Sequence, residues 1–389
     1  MTAQSEISRF AVTTFRHSGR SFGIKQPDRL LHTLALGQTG TGKSCLLELL
    51  ALADLAAGRG FALIDPHGDL VERVHASVPP KLRDRVVYLD ATDPGQPFGY
   101  NPLRRVSDTK IQLAASGLME TMRKLWGEKA WGVRMEHVLR NSLYALLERD
   151  GSTLPDVLRL YADKTFRRQV TASIRNPVVR QFWLKEWPAY GLRQAEAVAP
   201  IQNKVGALLS DPTLYRILVA PAVDVRFRSL MDEGRVLLVN LSTGRLGEDS
   251  AVTLGSLLVS TLGLASLTRA EVPPEKRKPF FLYVDEFQTF TTRSFVSLAA
   301  DLRKVGVGLV LATQTMTLIE PDIRHAVLAN CGTLLSFRVG PEDAATMANE
   351  FQPTFGVEDL LNLPNRHFYL KLMIDGAPSR PFSGRTLDA

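Results

Sequence analysis

Residues 37–44 constrain the fold of this chain more than any other part of it. They read Gly-Gln-Thr-Gly-Thr-Gly-Lys-Ser and match the phosphate-binding loop pattern in full. An apolar segment, 30–36, precedes the loop, and a helical pattern, 44–57, follows it. In such a loop the backbone N–H groups converge on phosphate oxygens, and the positive end of the following helix faces the same anion. We therefore expect an α/β fold in which a strand leads through this loop into a helix.

The residues of this loop have distinct expected roles. Its glycines let the backbone curl around a phosphate. Lys43 should reach the β- and γ-phosphates, and the Ser44 hydroxyl should bind Mg²⁺, a hard cation that prefers oxygen ligands. A chance glycine-rich turn is the alternative, and the flanking strand and helix argue against it. The predicted nucleotide-binding residues are Gly37, Thr39, Gly40, Thr41, Gly42, Lys43, Ser44 and Cys45.

Short apolar runs, separated in many places by helical patterns, predict the sheet. Their hydrophobicity is continuous rather than alternating, which is typical of strands covered on both faces in a mostly parallel sheet. The predicted strands are 30–36, 61–65, 85–90, 236–241, 280–285, 307–313, 334–339 and 368–374.

The strand pattern stops between residues 107 and 220, where helical spacing replaces it. We therefore predict an inserted all-α domain, 107–220, between the two parts of an α/β domain, 1–106 and 221–389. Residues 103–220 contain 19 Lys and Arg against 11 Asp and Glu, whereas the rest of the chain contains 28 against 29. The basic excess lies in the helical block and is compatible with a polyanionic partner such as DNA.

Two adjacent carboxylates, Asp285 and Glu286, follow the apolar run 280–284. Pleating sends the two side chains in different directions. Asp285 is suited to the Mg²⁺ shell through water, and Glu286 can orient or deprotonate a water that attacks the γ-phosphate. An exposed acidic strand end is the alternative for an isolated pair, but the phosphate loop makes a catalytic pair the better interpretation.

Three further polar residues follow predicted strands, at the edge where parallel α/β sheets bind their ligands. Gln314 can hydrogen-bond the attacking water or the γ-phosphate; the alternative is a glutamine that faces solvent. Asp65 and His67 are either supports of the active site or parts of a turn, and the sequence leaves both interpretations open.

Taken in order, these motifs resemble the HerA/FtsK superfamily, and most closely the DNA-binding ATPases of type IV secretion, including conjugative coupling proteins. The resemblance covers roughly residues 20–385. Besides the loop, the acidic pair and the strand before Gln314, the matching segments are 28–29, 65–70, 101–103, 240–242, 337–340 and 343–344.

The resemblance implies a RecA-like P-loop NTPase sheet that carries an all-α domain. It also implies a homo-oligomeric ring, usually a hexamer, with ATP and Mg²⁺ at the subunit interfaces and DNA through the centre. The family's trans-acting arginine lies ahead of the sensor strand, where Arg303 precedes Gln314 by 11 residues. Arg338 is the second candidate for that role, and a surface salt bridge is the alternative for Arg303. Thr292 and Arg293 are candidate DNA contacts.

The sequence predicts no membrane segment within this chain. The apolar run 251–267 is interrupted by small polar residues and is expected to be a packed helix. Coupling proteins usually begin with transmembrane helices and HerA proteins with a β-barrel, but fewer than 30 residues precede the first predicted strand. No secretory signal is evident, and Cys45 and Cys331 lack metal-ligand spacing, so we expect a reducing cytoplasm.

Three functions agree with these features. The first is an ATP-driven DNA translocase, working with a nuclease, a relaxase or a secretion partner. The second is a protein that binds ATP and DNA and uses slow hydrolysis as a switch for gating or assembly. The third is a secretion motor that acts on protein substrates, since a fold does not fix a substrate. The intact Glu286 and Gln314 favour the first.

Overall fold

The computed structural model of this chain describes residues 7–14, 19–127, 131–290 and 292–388, without the side chains of 293–298. The chain divides into two compact units. Unit 1 comprises Met1–Asp90, Phe227–Arg245 and Ala265–Ala389, and unit 2 comprises Ala91–Arg226 and Leu246–Leu264.

The strands are, in chain order, β1 (Ile7–Thr13), β2 (Ser21–Lys25), β3 (Thr33–Leu36), β4 (Gly60–Asp65), β5 (Val86–Asp90), β6 (Phe98–Gly99), β7 (Val223–Asp224), β8 (Val236–Asn240), β9 (Phe280–Val284), β10 (Val307–Thr313), β11 (Thr333–Ser336), β12 (His367–Lys371), β13 (Met373–Ile374), β14 (Ala377–Pro378) and β15 (Phe382–Thr386).

The α-helices are α1 (Gln26–Arg29), α2 (Lys43–Ala56), α3 (Asp69–Ala76), α4 (Ile111–Trp126), α5 (Val133–Leu147), α6 (Leu154–Ala162), α7 (Lys164–Ser173), α8 (Pro177–Gln181), α9 (Trp187–Ala189), α10 (Gln194–Ser210), α11 (Pro212–Leu218), α12 (Phe227–Glu233), α13 (Thr243–Leu246), α14 (Glu248–Leu267), α15 (Phe287–Phe290), α16 (Arg293–Lys304), α17 (Pro321–Asn330), α18 (Pro341–Phe351) and α19 (Val357–Leu361). Short 3₁₀ turns occur at Pro80–Arg85, Asp108–Lys110, Gly191–Arg193, Thr268–Glu271 and Pro274–Lys276, and a π-helical turn at Phe182–Glu186.

Unit 1 is built on an 11-stranded sheet of order β2-β1-β15-β12-β11-β3-β10-β9-β4-β8-β5. From β11 to β5 each strand is parallel to its neighbours, whereas β12, β15, β1 and β2 extend the sheet with antiparallel pairs. Every residue of β3, β4, β8, β9 and β10 is buried, as their continuous hydrophobicity predicts. The predicted α/β fold with a mostly parallel sheet is confirmed.

Three strands of the antiparallel extension, β1, β2 and β15, were not indicated by the sequence. β1 and β2 interleave polar with apolar residues, so neither stands out as an apolar run. The predicted strand 30–36 is shorter in the structure, because His32 has φ 64° and turns the chain before β3 begins. The predicted strand 368–374 is likewise divided into β12 and β13.

A buried ion pair joins the end of α1, ahead of β3, to the far end of α2. The Arg29 guanidinium donates to both carboxylate oxygens of Asp54, at 2.6 and 2.8 Å, and neither side chain is more than 1 % exposed. The Tyr283 hydroxyl, on β9, donates to Asp54 and accepts from Arg29. Burial alone would lower the pKa of Arg29, but Asp54 and Tyr283 raise it above its usual value, so the guanidinium stays charged.

Unit 2 contains α4–α11 together with residues 246–264 of the α14 region, and a short parallel pair, β6 with β7. The described residues between 107 and 220 form helices and turns, as predicted. Trp183 and Trp187 are buried and pack against Tyr161, and the Trp183 indole donates to the Asn141 carbonyl. They therefore act as core anchors, while the domain boundaries at 106 and 220 stay predictions.

One helical segment among the described residues, Glu248–Glu271, is long and apolar enough to cross a membrane by length and composition. Within the protein, 67 % of its apolar window is buried. A buried apolar helix is what the core of a globular protein requires, in agreement with the expected packed helix.

We predict that Asp54→Ala lowers the free energy of unfolding by about 3–5 kcal/mol, because it leaves the buried Arg29 charge without its carboxylate. Denaturant unfolding measures this change. Asp301→Ala is the matched control: it breaks an exposed pair with Lys304 and should cost less than about 1 kcal/mol. Equal effects of the two substitutions would contradict the role of the buried pair.

Candidate active site

The phosphate loop runs from the buried end of β3 to the first turn of α2. Gly40 and Gly42 have φ values of 76° and 123°, which side chains other than glycine rarely adopt. A Cβ at Gly37 would lie 2.6 Å from Phe337 Cβ and 2.8 Å from Thr41 Oγ1. The three glycines are therefore required by backbone angle or by close packing, and the loop has the curl that phosphate binding needs.

Hydrogen bonds from neighbouring strand ends fix the shape of this loop. Gly37 N donates to Thr313 O at 3.2 Å, and Gln38 N donates to Arg338 O at 2.9 Å. The Thr41 hydroxyl closes the loop on itself by donating to Gln38 O at 2.7 Å. The loop is thus held by β10 and by the segment after β11, the strands on either side of β3.

Lys43 lies at the mouth of the loop and is 6 % exposed. Its ammonium donates to Gly37 O at 2.6 Å and to Gln38 O at 3.3 Å, and lies 4.0 Å from Glu286 Oε1. Burial lowers the pKa of Lys43, and the carboxylates of Glu286 and Asp285 oppose that shift. The lysine therefore stands between the loop carbonyls and the acidic pair, where an anion can reach it.

Asp285 follows β9 directly and is 3 % exposed. Burial raises the pKa of Asp285 to about 7, and the nearby carboxylates of Asp65 and Glu286 add to the shift, while Lys43 reduces it. One carboxylate oxygen accepts from Glu286 N at 3.0 Å. Asp65 and Glu286 thus act by charge on the buried Asp285, and a cation beside Asp285 would relieve that repulsion.

Glu286 has an unusual backbone conformation, with φ 45°, and is 6 % exposed. A side chain other than glycine in this region carries strain, which the surrounding contacts must hold. Glu286 Oε2 accepts from Gln288 Nε2 at 2.8 Å and from Gln314 N at 3.2 Å. The structure therefore brings the predicted base and Gln314 together.

Gln314 also contacts the phosphate loop. Its side-chain oxygen accepts from the Thr39 hydroxyl at 2.9 Å, while its backbone N–H donates to Glu286. The side chain is half-buried, so it does not simply face solvent. Gln314 is placed to link the loop to the acidic pair, and its part in hydrolysis stays a prediction.

Asp65 supports the start of α3. Its carboxylate accepts from His67 N at 2.8 Å, Leu70 N at 2.9 Å and Val71 N at 3.2 Å. These bonds satisfy N–H groups that the first helical turn leaves without partners. Asp65 therefore has a structural role in the turn and also acts on Asp285 through its charge. The side chain of His67 is exposed.

The two arginine candidates differ in their positions. Arg303 is exposed in the last turn of α16, ahead of β10, whereas Gln314 follows β10. A strand of 7 residues spans roughly 20 Å, so Arg303 lies at the opposite edge of the sheet from its own chain's loop. Arg338 is half-buried and donates to Leu363 O and Asn365 Oδ1. Arg303 is therefore remote from its own chain's loop, and its role as a trans-acting arginine stays a prediction.

The remaining candidates are placed as follows. Ser44 and Cys45 are half-buried in the first turn of α2, and Cys45 Sγ lies 3.7 Å from Leu387 O. Thr292 is 3 % exposed, so a DNA contact through its side chain requires a rearrangement. The side chain of Arg293 lies outside the described residues.

Two residues of the site were not indicated by the sequence. Arg366 has φ 66°, and its backbone N–H donates to Thr41 O at 2.7 Å; its Cα lies 3.2 Å from where a Cβ of Gly42 would stand. Gln288 donates to Glu286. No local pattern marks Arg366, which lies far along the chain from the loop. For Gln288, the sequence offers one indication of a role in the site: it lies two residues after Glu286.

The donor set fits Mg²⁺ better than a cation held by protein alone. Among the described residues, no group of three or more His, Cys, Asp or Glu could hold a metal ion. Mg²⁺ usually keeps several waters and binds through one or two protein oxygens and the phosphates of a nucleotide. Ser44 and Asp285 are suited to that arrangement.

Comparison with known proteins finds a curated coupling protein that is similar to this chain. No protein-family model matches the chain. The type 4 coupling protein DotL of Legionella pneumophila (strain Philadelphia 1) is 22 % identical over 401 residues, which cover 88 % of this chain and 51 % of DotL. The chain thus spans about half the length of this curated relative. The resemblance predicted from the motifs is confirmed.

Solved structures agree in fold. The plasmid coupling protein TrwB in complex with the GTP analogue GDPNP superposes with a TM-score of 0.67 at 17 % identity, over 97 % of this chain and 89 % of TrwB. VirB4 of Thermoanaerobacter pseudethanolicus gives a TM-score of 0.63 at 16 % identity, over 98 % of this chain and 97 % of VirB4. TrwB is also known in complex with ADP and Mg²⁺. The predicted RecA-like P-loop NTPase fold is confirmed.

We predict that Asp285→Asn stabilises the nucleotide-free protein, and more so at about pH 8 than at about pH 5. The pKa of about 7 lies above the usual range for an aspartate, so the parent protein loses stability as the pH rises toward it. An amide removes that cost, on the order of 2–4 kcal/mol at the higher pH. Thermal unfolding at both pH values measures it. The exposed Asp84→Asn is the control, and a gain that does not depend on pH would contradict the assignment.

Proposed function

We propose that this chain is an Mg²⁺-dependent ATP hydrolase that drives DNA movement in a type IV secretion or conjugation system. One observation carries the proposal: Glu286 is held 4.0 Å from Lys43, at the mouth of a complete phosphate loop, and in contact with Gln314. A carboxylate in that position can activate water against a γ-phosphate that Lys43 holds. The likeness to DotL and to TrwB supports the biological setting.

The chain's own residues divide the chemistry between them. The loop N–H groups and Lys43 would bind the β- and γ-phosphates, and Ser44 and Asp285 are the residues that would hold Mg²⁺, directly or through water. Mg²⁺, when bound, neutralises charge on the phosphate oxygens. Glu286 orients the attacking water and takes its proton.

Gln314 completes the site from the end of β10. Its bonds to Thr39 and Glu286 put the loop, the base and the sensor strand in one hydrogen-bonded chain. A γ-phosphate oxygen is an acceptor, so it would compete with Gln314 Oε1 for the Thr39 hydroxyl and with Glu286 Oε2 for the Gln314 N–H, and its arrival and loss would thereby reach β10. This gives hydrolysis a route to the rest of unit 1.

The proposed assembly is a homo-oligomeric ring, a hexamer, with DNA passing through it. The position of Arg303, at the edge away from its own loop, suits a group that acts on the neighbouring subunit. The basic balance of 103–220 suits a polyanionic partner. Residues 292–293 are the proposed DNA contacts in unit 1, and Thr292 would reach DNA only after a rearrangement that exposes it. The site faces the cytoplasm in this proposal, with a nuclease, relaxase or secretion protein as partner.

Glu286→Gln should bind ATP normally and lose on the order of 100-fold or more in turnover, because only the water-activating carboxylate is lost. Lys43→Ala should lose binding as well as turnover. The measurements are nucleotide affinity and ATP turnover, with and without linear duplex, closed-circular duplex and single-stranded DNA. A motor requires turnover that rises with DNA, and DNA binding that weakens with salt.

The outcomes separate the candidate functions. Turnover that stays slow with every DNA, together with DNA binding, supports a nucleotide-driven switch instead. Stimulation by a secreted protein but not by DNA supports a protein motor. Normal turnover in Glu286→Gln would refute the assignment of the base.

Arg303→Ala should still bind ATP and assemble, yet lose roughly 10³-fold in turnover, because a guanidinium from the neighbour no longer stabilises charge on the γ-phosphoryl oxygens. Mixed with Lys43→Ala subunits, it should regain activity at interfaces where an intact Lys43 meets an intact Arg303. Lys304→Ala, next to it on α16, is the matched control. Full activity of Arg303→Ala on its own would exclude the role.

A further inference from the structure

Gln288 lies beside the acidic pair on a firmly held turn. It belongs to α15, whose end residues Phe287 and Phe290 are fully buried. These aromatic anchors fix the turn, and the half-buried Gln288 stands between them. Its side-chain amide donates to Glu286 Oε2 at 2.8 Å, the shorter of the two hydrogen bonds to that oxygen.

The two oxygens of Glu286 have different surroundings. Oε2 accepts from Gln288 Nε2 and from Gln314 N, and two donors at one oxygen fix the plane of a carboxylate. Oε1 lies 4.0 Å from the Lys43 ammonium, beyond a hydrogen bond but on the side of the phosphate loop. The carboxylate is therefore anchored through one oxygen and presents the other to the loop.

We propose that Gln288 is a positioning residue for hydrolysis: it anchors Glu286 through Oε2 so that Oε1 faces the attacking water. This inference rests on the proposed function, because it takes Glu286 as the base. Gln288 lies outside the phosphate loop and acts on the reaction only through Glu286.

The physical need for such an anchor comes from the glutamate itself. Its side chain has several rotatable bonds, and a base that is misplaced by about 1 Å loses much of its effect. Its backbone is also strained, with φ 45°. Without Gln288 the remaining donor to Oε2 is Gln314 N, at 3.2 Å, and Gln314 belongs to a strand end that responds to nucleotide. Gln288 supplies a second anchor, from α15 rather than from the end of β10.

The same bond permits an opposite interpretation, in which Gln288 restrains Glu286 away from the water until DNA arrives. The two interpretations predict opposite changes in ATP turnover when Gln288 is replaced. Removal of an anchor lowers turnover, whereas removal of a restraint raises turnover in the absence of DNA. Lys43 and Glu286 are each 6 % exposed and lie 4.0 Å apart. Glu286 therefore already lies at the loop, which favours the anchor over the restraint.

The test compares Gln288→Met, which keeps the length of the side chain without a donor, with Gln288→Lys, which restores an N–H donor. Gln288→Met should lower kcat roughly 10-fold to 100-fold, as expected for a lost hydrogen bond to a charged group. The KM for ATP should change less than about threefold, because the groups that bind phosphate are untouched. Gln288→Lys should regain much of the lost kcat. Gln202→Met, at an exposed position on α10, is the control.

A double-mutant cycle separates positioning from a structural role. In the Glu286→Gln background, Gln288→Met should have little further effect on the residual single-turnover rate, since the group that it positions is absent. A structural role would lower both rates by the same factor. Unchanged kcat in Gln288→Met, a raised kcat without DNA, or additive effects in the cycle would each overturn the inference.

The parent protein distinguishes this inference from the proposed function. If the parent protein and its DNA complexes hydrolyse no ATP, the proposed function fails, and this inference fails with it. If the parent hydrolyses ATP and Glu286→Gln does not, the proposed base stands, and the Gln288 variants alone decide the inference.

Discussion

The buried pair of Arg29 and Asp54 is the interaction on which the geometry of unit 1 depends. Asp54 lies near the end of α2, the helix that begins at the phosphate loop, and the Tyr283 hydroxyl ties the pair to β9, the strand that ends at the acidic pair. The Arg29 guanidinium also lies 3.7 Å from the centroid of Phe281 on the same strand. Since the two halves of the active site are far apart in sequence, this network fixes the helix of one half against the strand of the other. The two carboxylate oxygens of Asp54 and the aromatic face of Phe281 offset the free-energy cost of burying the Arg29 charge.

The active site concentrates charge of one sign and relies on directed N–H groups to tolerate it. Asp65 is held by backbone N–H groups at the start of α3, and Glu286 by Gln288 and Gln314, whereas burial leaves Asp285 with a raised pKa. These carboxyl groups and Lys43 are held together by the fold, so the proposed reaction would need little reorganisation of them. Without a bound cation, the buried Asp285 is more stable in its protonated form. A cation in the same region would instead stabilise the carboxylate form.

The sequence predicted the features that local patterns encode, and missed those that depend on the assembled sheet. The loop 37–44, the buried strands and the acidic pair each have a signature within a few residues, because glycine angles, continuous hydrophobicity and strand ends are local. The antiparallel strands β1, β2 and β15 could not be predicted in this way, since their partners are distant and their patterns are weak. The contact of Arg366 with Thr41 and the pairing of Arg29 with Asp54 also join residues that only the fold brings together.

Strand β10 is fully buried and has a parallel neighbour on each side, β9 along residues 307–311 and β3 along residues 310–313. A strand with buried side chains and a hydrogen-bonded neighbour on each side resists stretching and bending, so its two ends move together. One end of β10 contacts the phosphate loop through Gln314, and the other end follows α16, the helix that carries Arg303. In the proposed ring, the second end faces the next subunit. A displacement about the length of one hydrogen bond at one active site would then move the Arg303 end of β10 toward the adjacent active site. The order in which the subunits hydrolyse ATP would then depend on the rigidity of this single strand.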